Sequence, residues 1–162
     1  DVWKIMHEKN FTKFEQIFQQ KPNIVNSLRD GYPFAGRTLL MWAVGGEDRF
    51  DVFVHLLKYP QDFSLVDNDG WNVFHHVGRD GKVRHLEKFD QQTIEMLING
   101  RDDLNNSTPL QVAAFFNKYD VIRWLLAKGA NPELEDKYGR RPDERPDCDG
   151  VTKEIFRSFR SS

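Results

Sequence analysis

The chain has 162 residues, 30% of them charged and 39% hydrophobic, and a formal net charge of -2. This length and balance allow one compact domain or one short solenoid with a continuous core, and the weak negative charge argues against a dominant nucleic-acid footprint. Cys148 is the only cysteine, which excludes an intrachain disulfide and favours a reducing compartment over secretion, and no apolar run approaches the ~18 residues that a membrane span needs.

Four segments along the chain share the pattern of a capped helix start. They are Gly36-Arg37-Thr38-Leu39-Leu40-Met41-Trp42-Ala43-Val44, Gly70-Trp71-Asn72-Val73-Phe74-His75-His76-Val77-Gly78, Thr108-Pro109-Leu110 and Gly139-Arg140-Arg141-Pro142-Asp143. In the third segment Thr108 would cap the helix, and Pro109 would occupy the first turn, where a missing N–H costs nothing. The cap positions Thr38, Asn72, Thr108 and Arg141 lie 34, 36 and 33 residues apart, which indicates an internal repeat.

The stretch from Asn106 to Asp143 resembles one whole ankyrin repeat followed by the start of another. Its Thr-Pro-Leu-x-x-Ala-Ala opening, Val-Ile-x-x-Leu-Leu run and Gly-Ala-Asn close stand at the spacing of that family. The resemblance implies an all-α solenoid of about four to five helix-turn-helix repeats with short β-hairpin fingers. Because ankyrin repeats overwhelmingly bind other proteins, it also implies a non-catalytic protein–protein interaction module.

The resemblance divides the chain into units within a single domain, 1–162. We expect a worn repeat at 1–29, repeats at about 30–66, 67–103 and 104–135, and an incomplete repeat with a capping helix at 136–162. In the worn repeat the residues expected to line the two helices are Trp3, Ile5 and Met6, then Phe14, Ile17 and Phe18. The last helix is expected over Val151 to Arg157, since terminal repeats need a polar outer face.

The second helices of two repeats are marked by apolar residues at helical spacing, in Val52-Phe53-x-x-Leu56-Leu57 and Val121-Ile122-x-x-Leu125-Leu126. The repeat between them leaves two alternatives. Its second helix is either Val83 to Phe89 or, as we prefer, Gln91 to Ile98 with Asp90 as N-cap, in which case the segment from Lys82 to Phe89 is an insertion. Asn106 replaces the usual turn glycine, and asparagine accepts positive φ better than most residues.

The sequence offers little that indicates catalysis or metal binding. His75 stands at the family's Thr-Pro-Leu-His position, which implies a structural residue bonded to the backbone of the adjacent finger. A zinc site needs three or four converging ligands, whereas the five histidines are scattered. Asp67-Asn68-Asp69-Gly70 is interpreted as a finger turn rather than a calcium loop, because the bidentate Glu is missing. We therefore expect no enzyme activity and no cofactor.

The resemblance implies that partners bind at the finger tips and at the exposed ends of the first helices. Large rings and arginines, which are enriched in interface hot spots, occupy many of these variable positions. The expected partner-binding residues are Trp71, Phe115, Phe116, Tyr138, Tyr32, Phe34, Arg37, Arg79, Arg140 and Asp69. Two alternatives stay open: Phe116 is exposed or folded into the core, and Tyr32 and Phe34 bind a partner or pack their own loop. Trp71 and Phe115 are predicted to be exposed.

The expected function is an adaptor that grips a protein or peptide segment. The alternative is a regulatory or targeting domain excised from a larger enzyme, channel or pathogen effector, which the abrupt start at Asp1 fits equally well. Nucleic-acid or phospholipid binding through Arg140, Arg141, Arg145 and a basic stripe of Lys153, Arg157 and Arg160 is disfavoured by the overall charge. The expected location is intracellular, cytoplasmic or nuclear, or the cytosol of a host if the chain is a pathogen effector.

Overall fold

The computed structural model describes residues 1–31 and 35–162. Along this part of the chain the α-helices are α1 (Val2–His7), α2 (Phe11–Gln20), α3 (Leu39–Val44), α4 (Phe50–Leu56), α5 (Val73–Asp80), α6 (Val83–Leu86), α7 (Gln91–Leu97), α8 (Pro109–Phe115), α9 (Tyr119–Ala127) and α10 (Gly150–Ser161). Short 3-10 helices cover Pro22–Asn26, Glu47–Arg49 and Pro142–Glu144. The last predicted helix is confirmed and is longer than expected.

The four predicted cap positions each stand directly before a helix. The side chains of Thr38, Asn72 and Thr108 accept hydrogen bonds from the first-turn backbone N–H groups of α3, α5 and α8. Such a bond satisfies one of the four N–H groups that a helix start leaves without an intrahelical partner. Arg141 precedes the 3-10 helix Pro142–Glu144, and its backbone N–H donates to Glu144 Oε2 at 2.8 Å. The sequence period therefore marks the starts of the first helices.

The first helices pack side by side and the second helices form a layer behind them. Helix α3 contacts α5, α5 contacts α8, and α8 contacts Pro142–Glu144, while α4, α9 and α10 join this stack from the other layer. Gly78 allows α5 and α8 to approach closely, since an added Cβ there would lie 2.9 Å from the carbonyl oxygen of Pro109. The result is the predicted all-α solenoid, with its core along the seam between the layers.

The repeat with two candidate second helices contains both of them. The preferred candidate is confirmed as α7, whose N-cap Asp90 accepts a hydrogen bond from the backbone N–H of Thr93 at 2.8 Å. The inserted segment is also helical, as α6, and contacts α9. His85 of α6 meets the rings of Phe50 and Phe53 edge-on, with centroids 5.2 and 4.9 Å away. The insertion therefore contributes to the core instead of looping out.

Three of the fingers are built around a buried aspartate, at Asp67, Asp102 and Asp136. Each carboxylate accepts hydrogen bonds from two backbone N–H groups of its own finger, those of Asp69 and Trp71, of Asn105 and Ser107, and of Tyr138 and Arg140. These fingers are turns; the β pairing found among the described residues is one isolated bridge between Leu28 and Thr38. Asn106 has φ of 55°, so its predicted role as a substitute for glycine is confirmed.

Backbone hydrogen bonds join consecutive fingers into a row. The N–H of Asn68 donates to the carbonyl of Ala35 at 3.3 Å. In the same way Asp103 donates to Asp69 at 2.9 Å, and Lys137 donates to Asn105 at 2.9 Å. The finger tips are thereby held in a fixed order beside the ends of the first helices, where the binding residues were predicted.

Candidate functional site

One groove of about 220 Å³ brings together four of the predicted residues, Trp71, Arg79, Phe115 and Phe116. It lies between α5 and α8 and the two fingers that precede them. The remaining residues that line it are Asp102, Asn105, Ser107, Val112 and Arg145. These four predicted binding residues therefore line a single cavity.

Trp71 is half-buried, so the expectation that its ring is exposed is wrong. Its indole N–H donates a hydrogen bond to Asp102 Oδ2 at 3.0 Å, across to the next finger. The ring stacks on His75 with centroids 5.9 Å apart, and the Arg79 guanidinium lies 5.0 Å from its centroid. The ring turns inward because a tryptophan N–H usually finds an acceptor when it leaves water, and Asp102 supplies one. Trp71 is therefore a wall of the groove and a link between two fingers.

Replacing Trp71 by Phe should reduce the free energy of unfolding by about 1.5–3 kcal/mol, because a hydrogen bond to a charged group is lost while most of the ring area is kept. Urea unfolding followed by circular dichroism measures this change. Asp69→Asn, at the exposed tip of the same finger, is the control and should change stability by less than about 0.5 kcal/mol. A Trp71→Phe protein as stable as the wild type would contradict a structural role for the indole N–H.

Phe115 and Phe116 form an exposed aromatic pair at the end of α8. Their side chains are 37% and 42% exposed, and the rings meet edge-on with centroids 4.8 Å apart. Phe116 is the C-cap of α8, where the chain leaves the helix, so its ring stays outside the core. The predicted exposure of Phe115 is confirmed, and for Phe116 the structure selects the exposed alternative.

The other predicted residues do not line this groove. Tyr138 is 62% exposed on the last finger, and the Arg140 guanidinium lies 4.7 Å from its ring centroid while also pairing with Asp136. Arg37 is half-buried, and burial together with the nearby Arg79 charge lowers its pKa. Asp69 is exposed at a finger tip. Tyr32 and Phe34 lie outside the described residues, so their role stays a prediction.

Two buried histidines, His75 and His76, pack against the ring of Trp71. His75 Nδ1 accepts a hydrogen bond from the backbone N–H of Asn72 at 3.1 Å, and its Nε2 donates to the carbonyl of Ser107 at 2.9 Å. The structural interpretation of His75 is therefore confirmed. His76 Nε2 lies 2.8 Å from Asp67 Oδ2. Burial opposes the charged form of Asp67, but hydrogen bonds from His76 and from backbone N–H groups outweigh it and lower the pKa of this carboxyl.

Two of the three residues of the predicted basic stripe on α10, Arg157 and Arg160, pair with neighbouring carboxylates. Arg160 lies 2.6 Å from Asp143 Oδ2 and 2.9 Å from Glu133 Oε1, and Arg157 lies 2.5 Å from Glu154 Oε2. Such pairing reduces the positive charge that this stripe offers to a polyanion. Within residues 1–31 and 35–162, no group of three or more His, Cys, Asp or Glu side chains is arranged to hold a metal ion. None of the described helices has both the length and the apolar character to cross a bilayer.

Sequence reasoning missed Asp102 and Arg145 as groove residues. Asp102 could have been found, because it holds the same finger position as Asp67 and Asp136. Arg145 was considered only as a nucleic-acid contact, and it reaches the groove because the chain returns to Phe115 after Pro142–Glu144.

Stacked helix pairs joined by a row of fingers define an ankyrin-repeat protein. Comparison of the sequence with known protein families gives the same assignment. A family model for ankyrin repeats in three copies matches residues 40–136, and the chain belongs to the ankyrin repeat family. Members of this family are generally non-catalytic and generally bind other proteins.

Similar proteins are much longer than this chain. It is 30% identical over 91 residues to SH3 and multiple ankyrin repeat domains protein 2 of Homo sapiens and 33% identical over 106 residues to the nuclear factor NF-kappa-B p105 subunit of Gallus gallus. It is 28% identical over 83 residues to transient receptor potential cation channel subfamily A member 1 of Homo sapiens. These matches cover 54%, 62% and 50% of this chain but 4%, 10% and 7% of those proteins.

Proposed function

We propose that this domain binds a segment of a partner protein in the groove between Trp71 and the Phe115–Phe116 pair. The observation that carries the proposal is the exposure of two adjacent phenylalanine rings, 37% and 42%, at the mouth of a cavity. Exposed apolar surface of this kind costs solvation that contact with a partner would offset. The neighbouring Trp71 and Arg79 are of the residue types that dominate interface energetics.

The wider setting of the domain is also a proposal. The matched segment covers 4%, 10% and 7% of its long relatives, so we propose that it acts as the recognition or regulatory part of a larger protein inside the cell. The division into a worn repeat at 1–29, three repeats up to 135 and a capping unit at 136–162 fits the helix starts at Thr38, Asn72 and Thr108.

Phe115→Ala should weaken partner binding by about 2 kcal/mol or more if the ring is a hot spot. It should change the free energy of unfolding by no more than about 1 kcal/mol, because more than a third of the side chain is already in solvent. The measurement is capture of proteins from a lysate on immobilised wild type and variant, followed by titration of the captured protein.

The matched control is Met96→Ala, which removes a 54% exposed apolar side chain on α7, away from the groove. It should retain the same captured proteins as the wild type. If Phe115→Ala binds every captured protein as tightly as the wild type does, the groove is not the site. The exposed finger residue Tyr138 would then be the next candidate.

A further inference from the structure

Arg145 forms one wall of the groove in an unusual environment. Its side chain is 12% exposed, and its guanidinium carbon lies 4.8 Å from the ring centroid of Phe115. The carboxylate that the structure pairs with it is Asp136, whose Oδ2 is 3.8 Å away, beyond the reach of a hydrogen bond. Its Nε is buried without a hydrogen-bond partner among the described residues. The charge of Arg145 is therefore only partly compensated.

The carboxylates around the groove are already used by the fold. Asp136 accepts hydrogen bonds from the backbone of Tyr138 and from the backbone and side chain of Arg140. Asp102 accepts from two backbone N–H groups with one oxygen and from the indole of Trp71 with the other. Neither is free to turn toward Arg145. The opposite wall adds a second guanidinium, that of Arg79, which pairs with Asp80.

A third donor lies beside the groove. The hydroxyl of Ser107 is buried and has no hydrogen-bond partner in the described part of the chain, and Ser107 lines the same cavity. A buried donor without an acceptor is unfavourable. A ligand that carries a carboxylate would compensate the charge of Arg145, whereas a cation would be repelled by both guanidinium groups.

We infer that the groove recognises an acidic residue of the partner segment, with its carboxylate on Arg145 and a neighbouring apolar side chain against Phe115 and Phe116. The inference rests on the proposed function, since it names the chemistry of the segment bound there. An arginine can hold a carboxylate through two parallel hydrogen bonds, which gives both strength and direction. The volume of about 220 Å³ is below the ~300 Å³ of common ligand pockets, so it suits one or two side chains of a segment.

The test is selection of a phage-displayed library of random short peptides on the wild-type chain, with counter-selection against Phe115→Ala. Enriched peptides should share Asp or Glu next to an aromatic or aliphatic residue. Exchanging that acid for its amide in a synthetic peptide should weaken binding about tenfold or more, because a desolvated charge pair is lost. Arg145→Gln should weaken the acidic peptide similarly and should leave the amide peptide unchanged.

The matched control is Arg123→Gln on α9, a 55% exposed arginine paired with Asp120 outside the groove, which should bind like the wild type. Thermal unfolding checks that Arg145→Gln is folded; if it is not, Arg79→Gln tests the same charge requirement from the opposite wall. Equal binding of acidic and amide peptides that still require Phe115 would overturn the acidic preference and leave the proposed function intact. Failure to select any Phe115-dependent peptide would count against both the acidic preference and the proposed function. Binding of a single-stranded oligonucleotide in place of peptides, if it depended on Arg145, would also count against both.

Discussion

Leu125→Ala is expected to lower the free energy of unfolding by about 2–5 kcal/mol, the usual range for a buried leucine. Leu125 is fully buried in α9. That helix contacts α8 in its own repeat, α5 and α6 in the preceding one, and α10 in the following one. The cavity would therefore open where several helices meet, and because each repeat is stabilised by its neighbours, the loss should affect the whole stack.

Urea unfolding followed by far-UV circular dichroism measures this loss. Met96→Ala on α7 is the control, since its side chain is 54% exposed, and it should change stability by less than about 0.5 kcal/mol. A loss below about 1 kcal/mol for Leu125→Ala would mean that α9 does not pack as described. Truncation of a buried leucine lowers the free energy of unfolding by so little only when the surrounding side chains fill the cavity.

The helix starts could be predicted from sequence because their chemistry is local. A cap such as Thr38 or Thr108 bonds to a backbone N–H three residues ahead, so a short stretch of sequence is enough to predict where the helix begins. The same holds for Asp90, which selected α7 correctly. The apolar spacing of α9 is equally local, and Leu125 is buried as that spacing indicates.

The candidate site was less predictable because its contacts join distant positions. The burial of Trp71 depends on the hydrogen bond from its indole N–H to Asp102, 31 residues away. Neither the helical period nor the repeat period predicts a hydrogen bond between these two side chains. Arg145 lies beyond the prolines that end the regular repeats, so the spacing gave no expectation for its side chain. Helix α6 was assigned to an insertion because the two candidate helices were treated as exclusive, although both bury apolar residues.

The second large effect expected is acid destabilisation by buried histidines. Burial lowers the pKa of His75 from 6.5 to about 4, and it lowers that of His85 to about 4 as well. Both rings are therefore neutral in the folded protein at neutral pH, whereas in the unfolded chain they take up protons once the pH falls below about 6.5. The free energy of unfolding should thus be unaffected by these rings above that pH and should fall between about 6.5 and 4.

The contribution of His75 alone should reach about 3 kcal/mol at the acid end, since each unit of pKa difference corresponds to about 1.4 kcal/mol. Asp67 does not account for a loss in this window, because its pKa is lowered from 3.8 and it is protonated only in more acidic solution. His76 acts in the same direction as His75, since burial also lowers its pKa. A variant is therefore needed to separate the contribution of His75 from those of His76 and His85.

His75→Gln provides that separation, because a glutamine makes equivalent hydrogen bonds at the same position of another repeat. Gln111, at the equivalent place in α8, accepts from the backbone N–H of Thr108 at 2.8 Å and donates to the carbonyls of Leu134 and Arg140. The variant should fold, and its stability should depend less steeply on pH between about 6.5 and 4 than that of the wild type. Chemical unfolding across this range measures the slope. Identical slopes for the two proteins would show that His75 is not buried as a neutral ring.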